Sequence, residues 1–267
     1  MRTAHRIGLR DVQQVYSGSE GRLWELVMGE QIHIGGLTSS MDLARRAGIA
    51  EGTAGVDLCC CTGAGMRFLV RFRGVARMMG VDATEAVVAE GRRRCQVQGM
   101  ADRIEFTLAD ACDTGLATAA ADFVWGEDAW CYVADKPRLI AEAARLVRSG
   151  GVVAFTDWVE GPVPMEAEEG ERMLTFMKFP SFLTLDEYGT LLTDNGCHVE
   201  AAENTGRFAP CVDLYIEMLT RQLTFDALRI LDFDQPFMES LACEMAFMQQ
   251  LAREEKMIQG LFVARKR

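Results

Sequence analysis

The run Val56-Asp57-Leu58-Cys59-Cys60-Cys61-Thr62-Gly63-Ala64-Gly65 decides how the rest of the chain is read. A short apolar strand at 54–58 passes into a loop of small residues, and a helix begins near Met66. Small side chains let the backbone approach a ligand closely, and the first turn of the following helix offers it unpaired N–H groups. The run therefore reads as a cofactor loop, with a plain structural turn as the alternative.

Working downstream, β-like runs at 76–81, 103–108, 123–125 and 152–155 alternate with helical patterns. The helices include 84–98, with Gly99 past its end, and 136–149, with Pro137 in its first turn; Gly150-Gly151 then turns into the fifth strand. Such alternation predicts an α/β fold, a Rossmann-like doubly wound and mostly parallel sheet. Ligands bind such sheets at the carboxyl ends of the strands. After Gly161-Pro162-Val163-Pro164 an acidic, Met-rich segment breaks the rhythm. The pattern resumes with a helix at 185–195, a strand at 197–201, helical stretches at 210–230 and 236–256, and a last strand at 260–264.

Upstream, Leu23, Trp24, Val27 and Met28 form an apolar helical face, and a second helix capped by Ser39 or Ser40 runs through Arg46. The expected layout is an N-terminal helical lid at 1–50, a core at 51–160, an inserted lid or substrate wall at 161–184, and the rest of the core with added helices at 185–267. Methionines from Met165 to Met177 suit a surface acceptor site or an interface, so a homodimer stays open.

The chain has 267 residues, is 49% hydrophobic, and carries a formal charge of -11 with a pI near 4.9. That charge speaks against a nucleic-acid binder, which needs a cationic face. The one tight basic run, Arg92-Arg93-Arg94, reads as a solvated helix end. Nine scattered cysteines read as reduced thiols in a cytoplasmic protein. Residues 1–14 have no apolar core segment, so no signal peptide is expected, and no run of apolar residues is long enough for a membrane span. A metal site at Cys59-Cys60-Cys61 is disfavoured, because adjacent side chains diverge and no His completes a tetrahedral set.

Acids recur at the expected strand ends: Asp57, then Asp82 in Gly80-Val81-Asp82, then Asp110 in Ala109-Asp110-Ala111, then Glu127-Asp128. Asp82 is spaced to accept two ribose hydroxyls, and Asp110 to take an adenine amino proton. Singly, each could cap a helix; acids after consecutive strands are harder to explain as caps.

On these residues the chain resembles the class I S-adenosylmethionine-dependent methyltransferases over about 50–201. The resemblance rests on Asp57, Gly63, Val81-Asp82-Ala83-Thr84, Ala109-Asp110-Ala111 and Gly150-Gly151, with Cys59 and Cys61 where the family commonly has glycine. It implies S-adenosyl-L-methionine as cofactor, S-adenosyl-L-homocysteine as product, and a cofactor set of Asp57, Cys59, Cys61, Gly63, Asp82, Ala83, Asp110, Ala111 and Glu127. Glu30-Gln31-Ile32-His33-Ile34-Gly35 and Val124-Trp125-Gly126-Glu127-Asp128-Ala129-Trp130 look like sarcosine/dimethylglycine N-methyltransferases and related small-molecule enzymes. Tyr132 stands where many relatives carry His.

Methyl transfer is an in-line displacement that needs alignment and exclusion of water more than a fixed dyad. Asp128, Tyr132 and His33 are the candidates for proton handling, and Tyr16, Trp130 and Trp158 for an aromatic substrate wall. The leading expectation is methylation of a small molecule, nitrogen favoured. The alternatives are an O- or C-methyltransferase of a natural product or lipid-like substrate, and a non-catalytic binder with a degenerate loop. A dinucleotide oxidoreductase fits worst, since no Gly-x-Gly-x-x-Gly follows Asp57.

Overall fold

The computed structural model describes residues 2–3 and 7–267; Met1 and residues 4–6 of the expected N-terminal unit lie outside the described residues. In chain order the elements are β1 (Arg2–Thr3), α1 (Leu9–Ser17), α2 (Ser19–Met28), α3 (Gly36–Arg46), β2 (Ala54–Leu58), α4 (Ala64–Phe72), β3 (Arg77–Asp82), α5 (Glu85–Val97), β4 (Ile104–Leu108) and β5 (Ala121–Glu127). A short 3-10 turn at Trp130–Tyr132 leads to α6 (Lys136–Leu146), β6 (Val147–Glu160), α7 (Ala167–Met177), β7 (Ser181–Phe182), α8 (Leu185–Asp194) and β8 (Cys197–Asn204). The chain ends with α9 (Phe208–Glu217), a π turn at Met218–Gln222, α10 (Thr224–Ile230), α11 (Gln235–Arg253) and β9 (Met257–Lys266).

Seven strands form one sheet in the order β4-β3-β2-β5-β6-β9-β8, parallel except for β9, which is antiparallel to both its neighbours. The chain winds from β2 to β3 and β4 on one side and then returns to β5 on the other. The winding reverses between β2 and β5, which opens a crevice at their carboxyl ends. β2 is central and buried, so its side chains are apolar apart from Asp57 at the end. Gly55 is required there, because a Cβ would overlap the Phe123 ring. β1 and β7 make a separate two-stranded ribbon.

Local chemistry sets the helix ends. Asp135 caps α6 by accepting from the Arg138 N–H, with Pro137 in the first turn. Thr184 and Glu187 cap α8 reciprocally.

Several expectations need correction. Ser39 and Ser40 do not cap α3; they lie inside it, fully buried, because the helix already starts at Gly36. Gly150-Gly151 is no turn between elements but a bulge within β6, where Gly150 is left-handed (φ 76) and a Cβ on Gly151 would strike the Asp122 carbonyl. The helix expected at 210–230 is interrupted by the π turn. Arg94 is no solvated terminus, since its guanidinium is 16% exposed and pairs with both Glu25 and Glu90. Met165, Met173 and Met177 are buried in the core formed by α2, α7, α9 and α11 rather than exposed. The acidic residues around them occupy the outer face of α7, whose inner face is apolar.

Candidate functional site

A cavity of about 260 Å³ lies at the carboxyl ends of the central strands. Its floor is the loop after β2 (Cys59, Cys60, Cys61, Thr62), and its sides are the strand-end residues Asp57, Asp82, Ala83, Asp110, Ala111 and Glu127. Leu9, Val12 and Tyr16 of α1 cover it, together with Glu30–His33 from the loop before α3.

The loop has an alternating backbone: Cys59 (φ 61), Cys61 (φ 47) and Gly63 (φ 76) are all left-handed. Only Gly63 adopts that conformation without penalty, and each cysteine costs about 1–2 kcal/mol there. Asp82 helps to hold the loop: Oδ2 accepts from the Cys61 N–H at 2.9 Å, while Oδ1 accepts from Thr84 N–H at 2.8 Å. The Cys60 N–H donates to Val81 O. Gly63 then starts α4 under the Phe106 ring, where a Cβ would not fit. Burial pushes the Cys61 thiol up to about 12 and raises Cys59 and Cys60 well above the ordinary thiol range, so these are neutral thiols and not reactive thiolates.

Asp57 is 4% exposed and has no hydrogen-bond donor among the described residues. Burial first, then the charges of Glu127 and Asp82, raise its carboxyl well above the usual range. Burial also raises Asp82, opposed by its hydrogen bonds from Thr84 and Cys61. Glu127 Oε1 is buried without a hydrogen bond, 3.4 Å from His33 Nε2. Trp125 Nε1, close by, is an unpaired buried donor. Asp110 is more exposed and accepts from the Cys112 N–H at 2.8 Å.

The three candidates for proton handling line the cavity but differ in what they are free to do. Asp128 is committed: its carboxylate accepts from Ile34 N–H at 2.8 Å and from Gln259 Nε2 at 2.8 and 3.0 Å. It therefore acts as a tie between the covering loop and the sheet. His33 Nε2 lies 3.2 Å from Ser40 Oγ. The Tyr132 hydroxyl meets the Tyr16 hydroxyl at 3.0 Å, with the rings edge-to-face at 5.5 Å. Burial raises both phenols well above the ordinary tyrosine range, so they are neutral donors.

Two expected wall residues are elsewhere. Trp130 is fully buried, stacks on Phe155 at 4.0 Å and donates to Leu58 O. Trp158 packs edge-on against Phe179 and Phe208. Both are packed into the core and neither lines the cavity.

Some residues that order the site escaped the sequence reading. Gln259 is fully buried on β9 and bonds to Asp128, Ile34 O and Thr205 Oγ1 at once. Its signal was visible: a lone amide in the apolar run Met257–Ala264. Gln13 of α1 donates to Ala83 O at 2.7 Å, and Asp157 accepts from the Cys131 N–H, fixing the turn that carries Tyr132. Buried Lys136 donates to the Cys131 and Val133 carbonyls of the same turn.

Comparison with known proteins agrees with this geometry. Residues 56–155 match the model of a methyltransferase domain. The 27-O-demethylrifamycin SV methyltransferase of Amycolatopsis mediterranei is 30% identical over 131 residues, 48% of this chain and 48% of that protein. The dimethylglycine N-methyltransferase of Parasynechococcus marenigrum is 30% identical over 160 residues, 55% of this chain and 54% of that protein. The chain thus spans about half the length of these curated relatives, and the matched relatives include C-, O- and N-methyltransferases alike. A putative sarcosine dimethylglycine methyltransferase from Galdieria sulphuraria has the same fold, with a TM-score of 0.80 at 21% identity over 92% of this chain and 97% of that one. The chain therefore has the class I methyltransferase fold, and its residues 56–155 match a methyltransferase domain.

Proposed function

We propose that the protein transfers a methyl group from S-adenosyl-L-methionine to a small-molecule acceptor, with nitrogen the favoured atom. The observation that carries this reading is the left-handed backbone at Cys59 and Cys61. A structural turn has no need of two such costly residues; a loop that must bring its backbone up to a ligand does, and strain of this kind gathers at functional sites.

The donor set fits the cofactor. Asp82 faces the cavity with its carboxylate fixed by two backbone N–H groups, as a ribose diol requires. Asp57 lacks a donor, which the ammonium of the methionine moiety would supply. Ala83, Asp110 and Ala111 flank the place for adenine, and Ala64 and Gly65 at the start of α4 would offer their N–H groups to the carboxylate. When bound, the cofactor supplies an electrophilic sulfonium methyl.

The chain's own residues then align and shield. The α1 and α2 helices, within the unit at 1–50, act as a lid: Gln13 bonds to Ala83, Glu25 to Arg94 and Tyr16 to Tyr132 across the cavity. The Tyr16–Tyr132 pair excludes water and presents ring faces to a developing ammonium. His33, beside Glu127, is the group we assign to proton handling in place of Asp128. The segment at 161–184 closes the far side of the lid core. We further propose a cytoplasmic protein without nucleic-acid partners; among the described residues no helix is long and apolar enough to cross a membrane.

A thermal-shift titration tests the reading. S-adenosylhomocysteine at about a hundred times its dissociation constant should add ~2.7 kcal/mol, a rise of several degrees. No rise with that ligand would sink the proposal and favour a binder with a degenerate loop, and a rise with NAD instead would favour a dinucleotide oxidoreductase.

A further inference from the structure

The carboxylates of the cavity exceed the donors that face them. Asp57 has no donor among the described residues, and Glu127 Oε1 has none although its side chain is only 6% exposed. The two acids share one end of the cavity: a carbon built on Gly65 would lie 2.8 Å from Glu127 Oε2 and 3.5 Å from Asp57 Oδ2. Nearby cations are engaged elsewhere. Arg67 is spent on Thr62 O and Glu30, Arg94 on Glu25 and Glu90, and Lys136 on backbone carbonyls and Ser181. Arg138 does line the cavity, but it is exposed and stands by Cys112.

S-adenosylmethionine, with a sulfonium, an ammonium and a carboxylate, is singly cationic. It therefore offsets one of these acids and leaves negative charge toward the acceptor. The surfaces around that charge are apolar or aromatic: Ile32, Ala129, Val133, Tyr16 and Tyr132. An acceptor bearing its own carboxylate or phosphate meets repulsion there, whereas an amine finds a hydrogen-bond acceptor.

We propose that the acceptor is an amine on an apolar frame that carries no carboxylate or phosphate, and that the Glu127 carboxylate receives its N–H. This rests on the methyltransferase reading above. In the step, the amine lone pair forms the N–C bond as the S–C bond breaks, and the bonding pair stays on sulfur as a neutral thioether. The positive charge passes to nitrogen beside Glu127, and where an N–H remains its proton leaves to the Glu127–His33 pair.

The test gives the full-length protein labelled S-adenosylmethionine and matched acceptors: phenethylamine against phenylalanine, tyramine against tyrosine, and ethanolamine against phosphoethanolamine. The thermal shift with S-adenosylhomocysteine is recorded alongside. An amine methylated about tenfold or more faster than its anionic partner is expected. Glu127→Gln should slow that amine by about tenfold and keep the shift. The proposal is overturned by an anionic member reacting as fast as its amine, by no amine reacting in a protein that shows the shift, or by Glu127→Gln losing the shift. Absence of the shift in the unaltered protein removes the methyltransferase reading, and this proposal with it.

Discussion

The most telling residues are Cys59 and Cys61, which carry a Cβ in a conformation glycine adopts freely. Their small size and their place after a strand were legible in the sequence. Their φ angles were not, because the conformation is imposed from outside the loop, by the Asp82 bond to the Cys61 N–H and by the start of α4. Cys61→Gly should relieve more strain than it adds in unfolded-chain entropy, raising stability by about 0.5–1 kcal/mol with cofactor affinity kept. Thermal denaturation of the variant checks this; a loss of stability would mean that the thiol's packing outweighs the strain. The aromatic residues make the opposite case. Trp130 and Trp158 stand near strand ends in sequence, as a substrate wall would, yet their partners Phe155, Phe179 and Phe208 come from other elements and draw them into the core.

At the scale of elements, α6 and β9 carry polar residues that hold the site's surroundings together. Glu142 of α6 accepts from Thr114 N–H and Oγ1 and pairs with Arg145, which holds its carboxyl down at about 2. A depressed carboxyl contributes stability above its unfolded pKa, and that contribution disappears as pH falls from about 4.5 toward 2. Glu142→Gln should therefore cost about 1–2 kcal/mol at pH 7, solvent screening of the Arg145 pair included, and much less near pH 2. Denaturant titrations at both pH values would show it, and an equal loss at both would rule out the charge as the cause. Gln259 of β9 is the donor that satisfies Asp128 and Ile34 O. Gln259→Leu leaves Ile34 O without its donor and the buried Asp128 carboxylate with only the Ile34 N–H, so a loss of about 2–3 kcal/mol is expected, with looser binding of S-adenosylhomocysteine because the covering loop is held less firmly. A variant as stable as the parent would show that Asp128 finds another donor. Sequence reasoning picked Asp128 for its position and missed Gln259: the lone amide in an apolar run marks the residue, but nothing local names a partner 131 residues away.

For the whole molecule, the alternation of strands and helices was enough to anticipate a mostly parallel sheet with its ligand site at the strand carboxyl ends. It was not enough for the inner face of α7, where Met173 and Met177 are interleaved with acids, nor for the π turn that splits the helix after Phe208. Those features depend on which face meets the core. The topology also explains why the acids converge: Asp57, Asp82, Asp110 and Glu127 end or follow four adjacent strands on the two sides of the winding reversal. Calorimetric titration of S-adenosylhomocysteine into the unaltered protein and into Asp82→Ala, side by side, tests this account most directly. Saturable binding that weakens by about a hundredfold in the variant is predicted, since the ribose contact and the support of Cys61 are lost together. Equal binding by the two proteins would contradict it.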